Sequence, residues 1–443
     1  MPEKKIPSVS VFRFLIHSTN IIKNPLPFHH KNFELHGDTF RLKLGFGKSV
    51  IFSRDPGFAQ YALQKNHKNY TKSPIQTRDL SKYVGFGLLT SEGELWQKQR
   101  KLIQPAFHKK QLINLLETIQ AAIKTELRKI EIDKPMDVFP MFNDLAFQTV
   151  VQSLFSSAVN QKEINKLQHI TESAQKMLVK ELRQPHLGWW FILSGKIKKH
   201  ISETQEARNI LKKLVNERKQ SGKREDDLLD MLLDARYEDG MPMEMEQLVD
   251  EILILFVAGH ETTSNALTFT CELLARNPEI QEKLYSEIIE AKENSETLME
   301  FIKNCSFTKN VIEESLRLYP PAYFIDRVNI EVDEFNGMKI PKNSSLLFSL
   351  LEIHTNPANW EEPQKFKPER FSEGKPNHFS GQYFPFGAGP RMCIGNNFAM
   401  YEMVLAIAEI MGKYKISEKL TPIEIKPLIT LKPKNATLKF NLR

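Results

Sequence analysis

FPFGAGPRMCIGNNFAM, residues 384–400, places one of the chain's three cysteines, Cys393, two residues after Arg391 and two before Gly395. Two readings of this thiol are open. A free cysteine behaves as a small buried hydrophobe. A cysteine set among glycines and aromatic residues, just ahead of a helical run at about 396–413, also suits a metal ligand held in a purpose-built loop. The rest of the chain has to decide between them.

With 443 residues, 41% hydrophobic and 26% charged, the chain is globular and long enough for a substantial core. Its formal charge of +7 admits an acidic protein partner but is too mild to argue for nucleic acid. Cys271, Cys305 and Cys393 make an odd, sparse set without CxxC spacing. That argues against a disulfide framework and a structural zinc site, and for a reducing compartment. The opening MPEKKIPSVSVFRFLIHSTN has neither a signal-peptide core nor an apolar run able to span a bilayer. A cytoplasmic protein without a transmembrane anchor is expected.

There is no internal repeat. FRLKLGFGKSVIFS (40–53) reads as two strands around a glycine turn. Helical patterns follow at 57–66, 92–105, 110–130, 142–158, 161–182, 200–220, 227–235, 244–276, 278–292 and 308–318. Short strands return over 325–349, and the last thirty residues suggest a terminal hairpin. This predicts a single, mainly α domain over 1–443, with a helical core at about 57–318 and β-rich parts at about 36–56 and 325–350. The irregular stretch 355–395 carries Trp360, Phe366, Phe371, Phe379, Phe384 and Phe386. Such aromatic content points to a packed loop rather than disorder.

EQLVDEILILFVAGHETTSNALTFTCELLARNP (246–278) is apolar nearly all round, which predicts a buried central helix. AGHETT interrupts it. Gly259 in mid-helix costs about 1 kcal/mol relative to alanine, and Glu261 and Thr262 need polar partners. A water-satisfied kink would account for them. So would a groove in which an acid and an alcohol move protons. In VIEESLRLYPP (311–321), Glu314 and Arg317 share one helix face. Exposed pairs of that kind are worth little. With Arg370 of KPERF (367–371), the Glu314 carboxylate instead completes a planar ion-pair set suited to locking a fold.

FGAGPRMCIG (386–395), AGHETT (258–263), ESLR (314–317) and PERF (368–371) occur in an order that resembles the cytochrome P-450 family of haem-thiolate monooxygenases. The likeness covers nearly the whole chain, and every position of the cysteine signature is filled. It implies the P-450 fold, one haem b between the central helix and the cysteine loop 384–395, and Cys393 as its iron ligand. A thiolate ligand favours O–O cleavage. On this reading Gly387, Gly389 and Gly395 let backbone N–H groups turn toward the sulfur, the helix after it adds a positive end, and Phe386 limits water. Ala258 borders the haem. Trp96 and Arg100, one turn apart in SEGELWQKQRK (91–101), match the family's propionate-binding pair, with Arg391 a second propionate ligand and Arg327 a third candidate. Ser91 and Glu94 have capping-box spacing for that helix.

The resemblance further implies that Thr262 and Glu261 deliver protons during O2 activation. Electrons are expected from NAD(P)H through a separate ferredoxin and ferredoxin reductase, because the roughly fifty residues after Cys393 hold no flavin- or iron–sulfur-binding sequence. Lys98, Lys101, Lys109 and Lys110 are candidates for that docking, and a monomer is expected. Substrate walls are expected from Arg78, Tyr83, Phe86, Leu89, Leu255, Ala322, Tyr323 and Phe324, with PHLGWW (185–190) as a roof. The product is either hydroxylated or oxidatively O-demethylated. The Lys-, Ile- and Asn-rich sequence is similar to marine bacterial members that demethylate 6-O-methyl-D-galactose with release of formaldehyde. Fatty-acid or terpenoid hydroxylation is the alternative. A peroxide-driven peroxygenase and a non-enzymatic haem sensor remain as rivals from other classes.

Overall fold

A computed structural model describes residues 4–45, 47–156, 160–374, 376, 380–418 and 423–443. Phe379 lies outside the described residues, as does Phe46 of the glycine turn. The chain falls into two compact units. One comprises Met1–Ser73, Asn310–Cys393 and Ile425–Lys432; the other comprises Pro74–Lys309, Ile394–Glu424 and Pro433–Arg443.

The first unit is built on a six-stranded sheet. Its strand order is Ser8–Val9, Thr39–Gly45, Lys48–Ser53, Ser345–Ser349, Phe324–Asn329, Tyr70–Thr71. Thr39–Gly45 and Lys48–Ser53 pair antiparallel, while Lys48–Ser53 and Ser345–Ser349 run parallel. Ile51, Phe58, Leu63, Tyr70, Leu346, Phe348 and Phe384 close into one apolar cluster. The irregular stretch is packed, with Trp360, Phe371 and Tyr383 forming a second cluster.

The second unit is helical. Its axis is Met245–Arg276, which runs unbroken through AGHETT and stops at Asn277, where Pro278 opens the next helix. Val138–Phe155 packs along it. At the crossing, a Cβ on Gly259 would lie 2.9 Å from Val150 Cγ2. Glycine is therefore what allows the two helices to approach here. Asp137 caps Val138–Phe155 by accepting from the Phe139 N–H, and Asn160 caps Gln161–Arg183 through Glu163 N–H. Tyr414–Glu418 pairs antiparallel with Thr437–Leu442, which gives the terminal hairpin a third strand at Pro135–Asp137.

Several expectations shift. The 110–130 helix divides into Lys109–Leu112, a tight turn at Ile113–Leu115, and Leu116–Leu127. The 142–158 helix begins earlier, at Val138, because Asp137 supplies the cap. The Ser91–Glu94 capping box does not form. Glu92 is the N-cap residue, without a side-chain bond, and the helix is Gly93–Ile103. Val11–Ile16, Ser18–Lys23 and Leu26–His36 are helical without a strong signal, and the first two bury no residue. Among the described residues, no helix is long and apolar enough to cross a membrane.

Candidate functional site

The cysteine loop is closed by two backbone bonds, Gly387 N–H to Phe384 O and Cys393 N–H to Phe386 O, each 2.9 Å. Gly387 and Gly389 adopt φ of +74° and +71°. A Cβ on Gly389 would sit 1.9 Å from the Leu63 carbonyl oxygen, so only glycine lets this turn rest on the 61–65 helical segment. The loop presents Cys393 exposed, whereas Cys271 and Cys305 are buried. Burial raises the Cys271 thiol pKa and pushes that of Cys305 up to about 12. Those two are inert packing residues.

Two supports for this loop escaped the sequence reading. The Phe384 N–H donates to Nε2 of buried His354 at 2.9 Å. On the other side, Arg391 Nη1 donates to the carbonyls of Tyr70 (3.1 Å) and His67 (3.4 Å). The 61–70 segment is itself gathered by one carboxylate. Asp333 accepts from the Tyr70 hydroxyl at 2.6 Å, the Tyr61 hydroxyl at 2.9 Å and the Asn66 amide at 3.0 Å. These donors help to hold its pKa below the usual range against the opposing effect of burial, the largest single influence. A lone histidine and a lone aspartate in ordinary contexts gave no local signal.

Glu314 and Arg317 are fully buried. Arg317 donates through Nε to Glu314 Oε2 at 2.7 Å and through Nη2 to Oε1 at 2.9 Å. Its Nη1 reaches the carbonyls of His354 and Pro363, and its guanidinium lies 5.0 Å over the Trp360 ring. Arg370 Nε and the Lys367 N–H also donate to Glu314 Oε1, at 3.2 and 2.9 Å. The ion-pair helix, the aromatic meander and the start of the cysteine loop are thus tied within one unit. Arg327 is buried in the Phe324–Asn329 strand, with Nη1 donating to the Asp326 carbonyl. Ala322 is exposed and Phe324 half-buried, while the Tyr323 hydroxyl donates to Leu428 O at 2.8 Å.

In the helical unit, the central helix is buried along most of its length. Leu255, Ala258, Gly259, Glu261 and Thr262 form a partly open stripe. Thr262 Oγ1 donates to Ala258 O at 2.8 Å, the back-bond expected of a threonine in mid-helix. Trp96 is buried and Arg100 half-buried on Gly93–Ile103, with Arg100 Nε donating to Gln104 at 3.2 Å. The Gly85–Leu89 turn is pinned to the start of the central helix. Asp250 accepts the Phe86 N–H at 2.7 Å and Glu251 the Leu88 N–H at 2.9 Å. This turn carries Phe86, whose ring is exposed, and Leu89, which packs with Tyr83, Ile254 and Val257. The Tyr83 hydroxyl donates to Glu181 at 2.9 Å. Arg78 projects into solvent against Asp79. Trp189 and Trp190 are exposed.

The family model described as Cytochrome P450 matches residues 7–440. A cyclooctat-9-en-7-ol 5-monooxygenase of Streptomyces melanosporofaciens is 27% identical, over 90% of this chain and 87% of its own. A pentalenene oxygenase of Streptomyces avermitilis is 25% identical, over 90% and 89%. The crystal structure of the cytochrome P450DA heme domain superposes with a TM-score of 0.86 at 21% identity, covering 100% of this chain and 99% of that one, and shows the fold. The retinoic acid bound cyanobacterial CYP120A1 gives 0.81 at 25% identity, covering 96% of each chain. The chain belongs to the cytochrome P450 family and is a haem b monooxygenase, drawing on O2 and on electrons that originate in NAD(P)H.

Proposed function

We propose that this cytochrome P450 hydroxylates an apolar, terpenoid-sized substrate, with Cys393 as the single protein ligand to the haem iron. The loop fits that group. It offers one exposed thiol on a glycine-dependent turn. Among the described residues there is no cluster of three or more His, Cys, Asp or Glu able to hold a metal alone. A haem would supply the remaining ligands of an iron held at Cys393. When bound, a thiolate-ligated haem supplies O2 activation for insertion of one oxygen atom into a C–H bond.

The chain's own residues would divide the remaining work. Trp96, Arg100, Arg391 and Arg327 would hold the propionates, with Ala258 and Phe386 against the ring. Thr262 would hold a proton at Oγ1, trading its bond to the Ala258 carbonyl. Glu261, half-buried on the preceding position, would resupply it from solvent. Electrons would arrive from a separate ferredoxin and its reductase, met by Lys98, Lys109 and Lys110. Lys101 is ion-paired with Glu238.

The substrate class rests on where the polar groups of the expected pocket point. The hydroxyls of Tyr83 and Tyr323 are committed to Glu181 and Leu428, and Arg78 is neutralised by Asp79. What remains along the central helix is Leu255 and Ala258, beside the cluster of Ile254, Val257, Met177, Leu178 and Leu89. A sugar loses water from every hydroxyl on binding and needs replacements; a fatty acid needs a free cation. An apolar skeleton needs neither. The two Streptomyces relatives, named for a cyclooctatenol and for pentalenene, support this order. Titration of the ferric enzyme with sesquiterpenes, diterpenes, fatty acids and 6-O-methyl-D-galactose tests it. Low-to-high-spin conversion with a terpene and none with the sugar is expected. A spin shift and formaldehyde release with the sugar alone would overturn it. Turnover with peroxide and no electron donor would favour a peroxygenase.

A further inference from the structure

We propose, on the reading that Cys393 holds the haem, that Tyr70, Tyr61 and Asp333 form a relay that carries an oxidising equivalent away from the cysteine loop when a turnover fails to meet substrate. Tyr70 is wholly buried and packs in one apolar cluster with Phe384 and Ala388 of that loop. Its carbonyl accepts from Nη1 of Arg391, two residues before the thiol, at 3.1 Å. Its hydroxyl donates to Asp333 Oδ2 at 2.6 Å. Tyr61 donates to the other oxygen of the same carboxylate, Oδ1, at 2.9 Å. The two phenol rings meet edge to face with centroids 6.5 Å apart. Tyr61 is partly exposed, so the pair joins the buried cluster to solvent.

The chemistry of the shared acceptor is what suits the pair to redox work. The Tyr323 hydroxyl, by contrast, donates to a backbone carbonyl, which cannot take up a proton. Burial leads in raising the pKa of both Tyr70 and Tyr61, so both hydroxyls stand protonated. Asp333 is ionised at neutral pH, its pKa held below the usual range by its donors against burial, the largest single influence. Asn66 Nδ2 fixes the geometry, donating to Asp333 Oδ2 and to the Tyr61 oxygen at 3.0 Å each. A phenol that loses an electron becomes a strong acid, and a carboxylate already bonded to it receives the proton as the electron leaves. Tyr70 gives one electron to the over-oxidised haem and its proton to Oδ2. Tyr61 then gives one electron to the Tyr70 radical; the proton on Oδ2 returns to Tyr70, and that of Tyr61 passes to Oδ1. A soluble thiol restores Tyr61 by donating a hydrogen atom, and Asp333 releases its proton to solvent.

Electron paramagnetic resonance of the full-length ferric holoenzyme, mixed with a peracid without substrate and rapidly frozen, provides the test. A tyrosyl signal is expected in the parent. Tyr70→Phe, which keeps the packed ring, should lose that signal and bleach its haem faster. Tyr61→Phe should retain a radical that decays more slowly when a thiol is added, because the exit is gone. Asp333→Asn keeps an oxygen acceptor that takes no proton, and should slow radical formation roughly 100-fold. Each variant is first matched to the parent by the spectrum of its reduced carbon monoxide complex, which separates loss of the haem at Cys393 from loss of the relay. A parent without a tyrosyl signal overturns the proposal and leaves these contacts as packing. So does a signal undiminished in Tyr70→Phe, or one whose formation and decay neither Asp333→Asn nor Tyr61→Phe changes.

Discussion

Arg317 and Glu314 are both fully buried and meet through two parallel hydrogen bonds of 2.7 and 2.9 Å. The same carboxylate receives Arg370 and the Lys367 N–H. Removing it strands guanidinium charge away from water. Glu314→Ala is therefore expected to lose about 3–5 kcal/mol of stability, and to yield protein that fails to retain haem. Soluble, haem-replete Glu314→Ala enzyme with an unchanged melting temperature would reduce this network to decoration.

Asp333 holds the 61–70 segment against which the cysteine loop rests. Asp333→Ala leaves two tyrosine hydroxyls without their acceptor and the Asn66 amide with only the Tyr61 hydroxyl, and the expected cost is about 1–3 kcal/mol. Faster hydrogen exchange in 386–393 should accompany it. A drop in stability with no change in exchange there would show that the segment and the loop are not mechanically linked.

Glu402 carries a pH prediction. It is wholly buried on the helix Asn396–Met411, and burial raises its pKa well above the usual 4.5, with the Thr149 hydroxyl acting in the opposite direction. Above that usual value the unfolded chain has released a proton that the folded chain still holds, so stability falls as pH rises. Glu402→Gln, which has no proton to lose, should be more stable than the parent at neutral pH. The gap should close as pH falls toward 4.5. Equal pH dependence of unfolding in the two proteins would contradict the assignment.

The parts of the fold that could be read from sequence are those with local signatures. The central helix shows as a long apolar run, and the cysteine loop as a fixed spacing of glycine, arginine and cysteine. Gly259 was visible but its cause was not, because the packing of Val150 against it lies over a hundred residues away. The same limit applies to side-chain direction. Tyr83 and Tyr323 read as pocket-lining hydroxyls until Glu181 and Leu428 are seen to receive them. The exposed position of Trp189 and Trp190 was equally hidden, since GWWFIL has the composition of a core segment.

Substitution of Thr262 would separate the proposed proton delivery from haem binding. Thr262→Ala favours the helix and loses the hydroxyl that donates to Ala258 O, together with the γ-methyl. Product formation should fall roughly 100-fold or more, while electron consumption continues and hydrogen peroxide accumulates. Product formed per electron at the parent ratio would remove Thr262 from the mechanism.

The most direct test of the central claim is the absorption spectrum of the reduced carbon monoxide complex, measured on the parent enzyme and on Cys393→Ala. The parent is expected to show the red-shifted Soret band of thiolate ligation, and Cys393→Ala to lack it while the apoprotein fold is retained. The same red-shifted band in both proteins would show that the thiolate comes from elsewhere, and that the loop around Cys393 does not hold the haem.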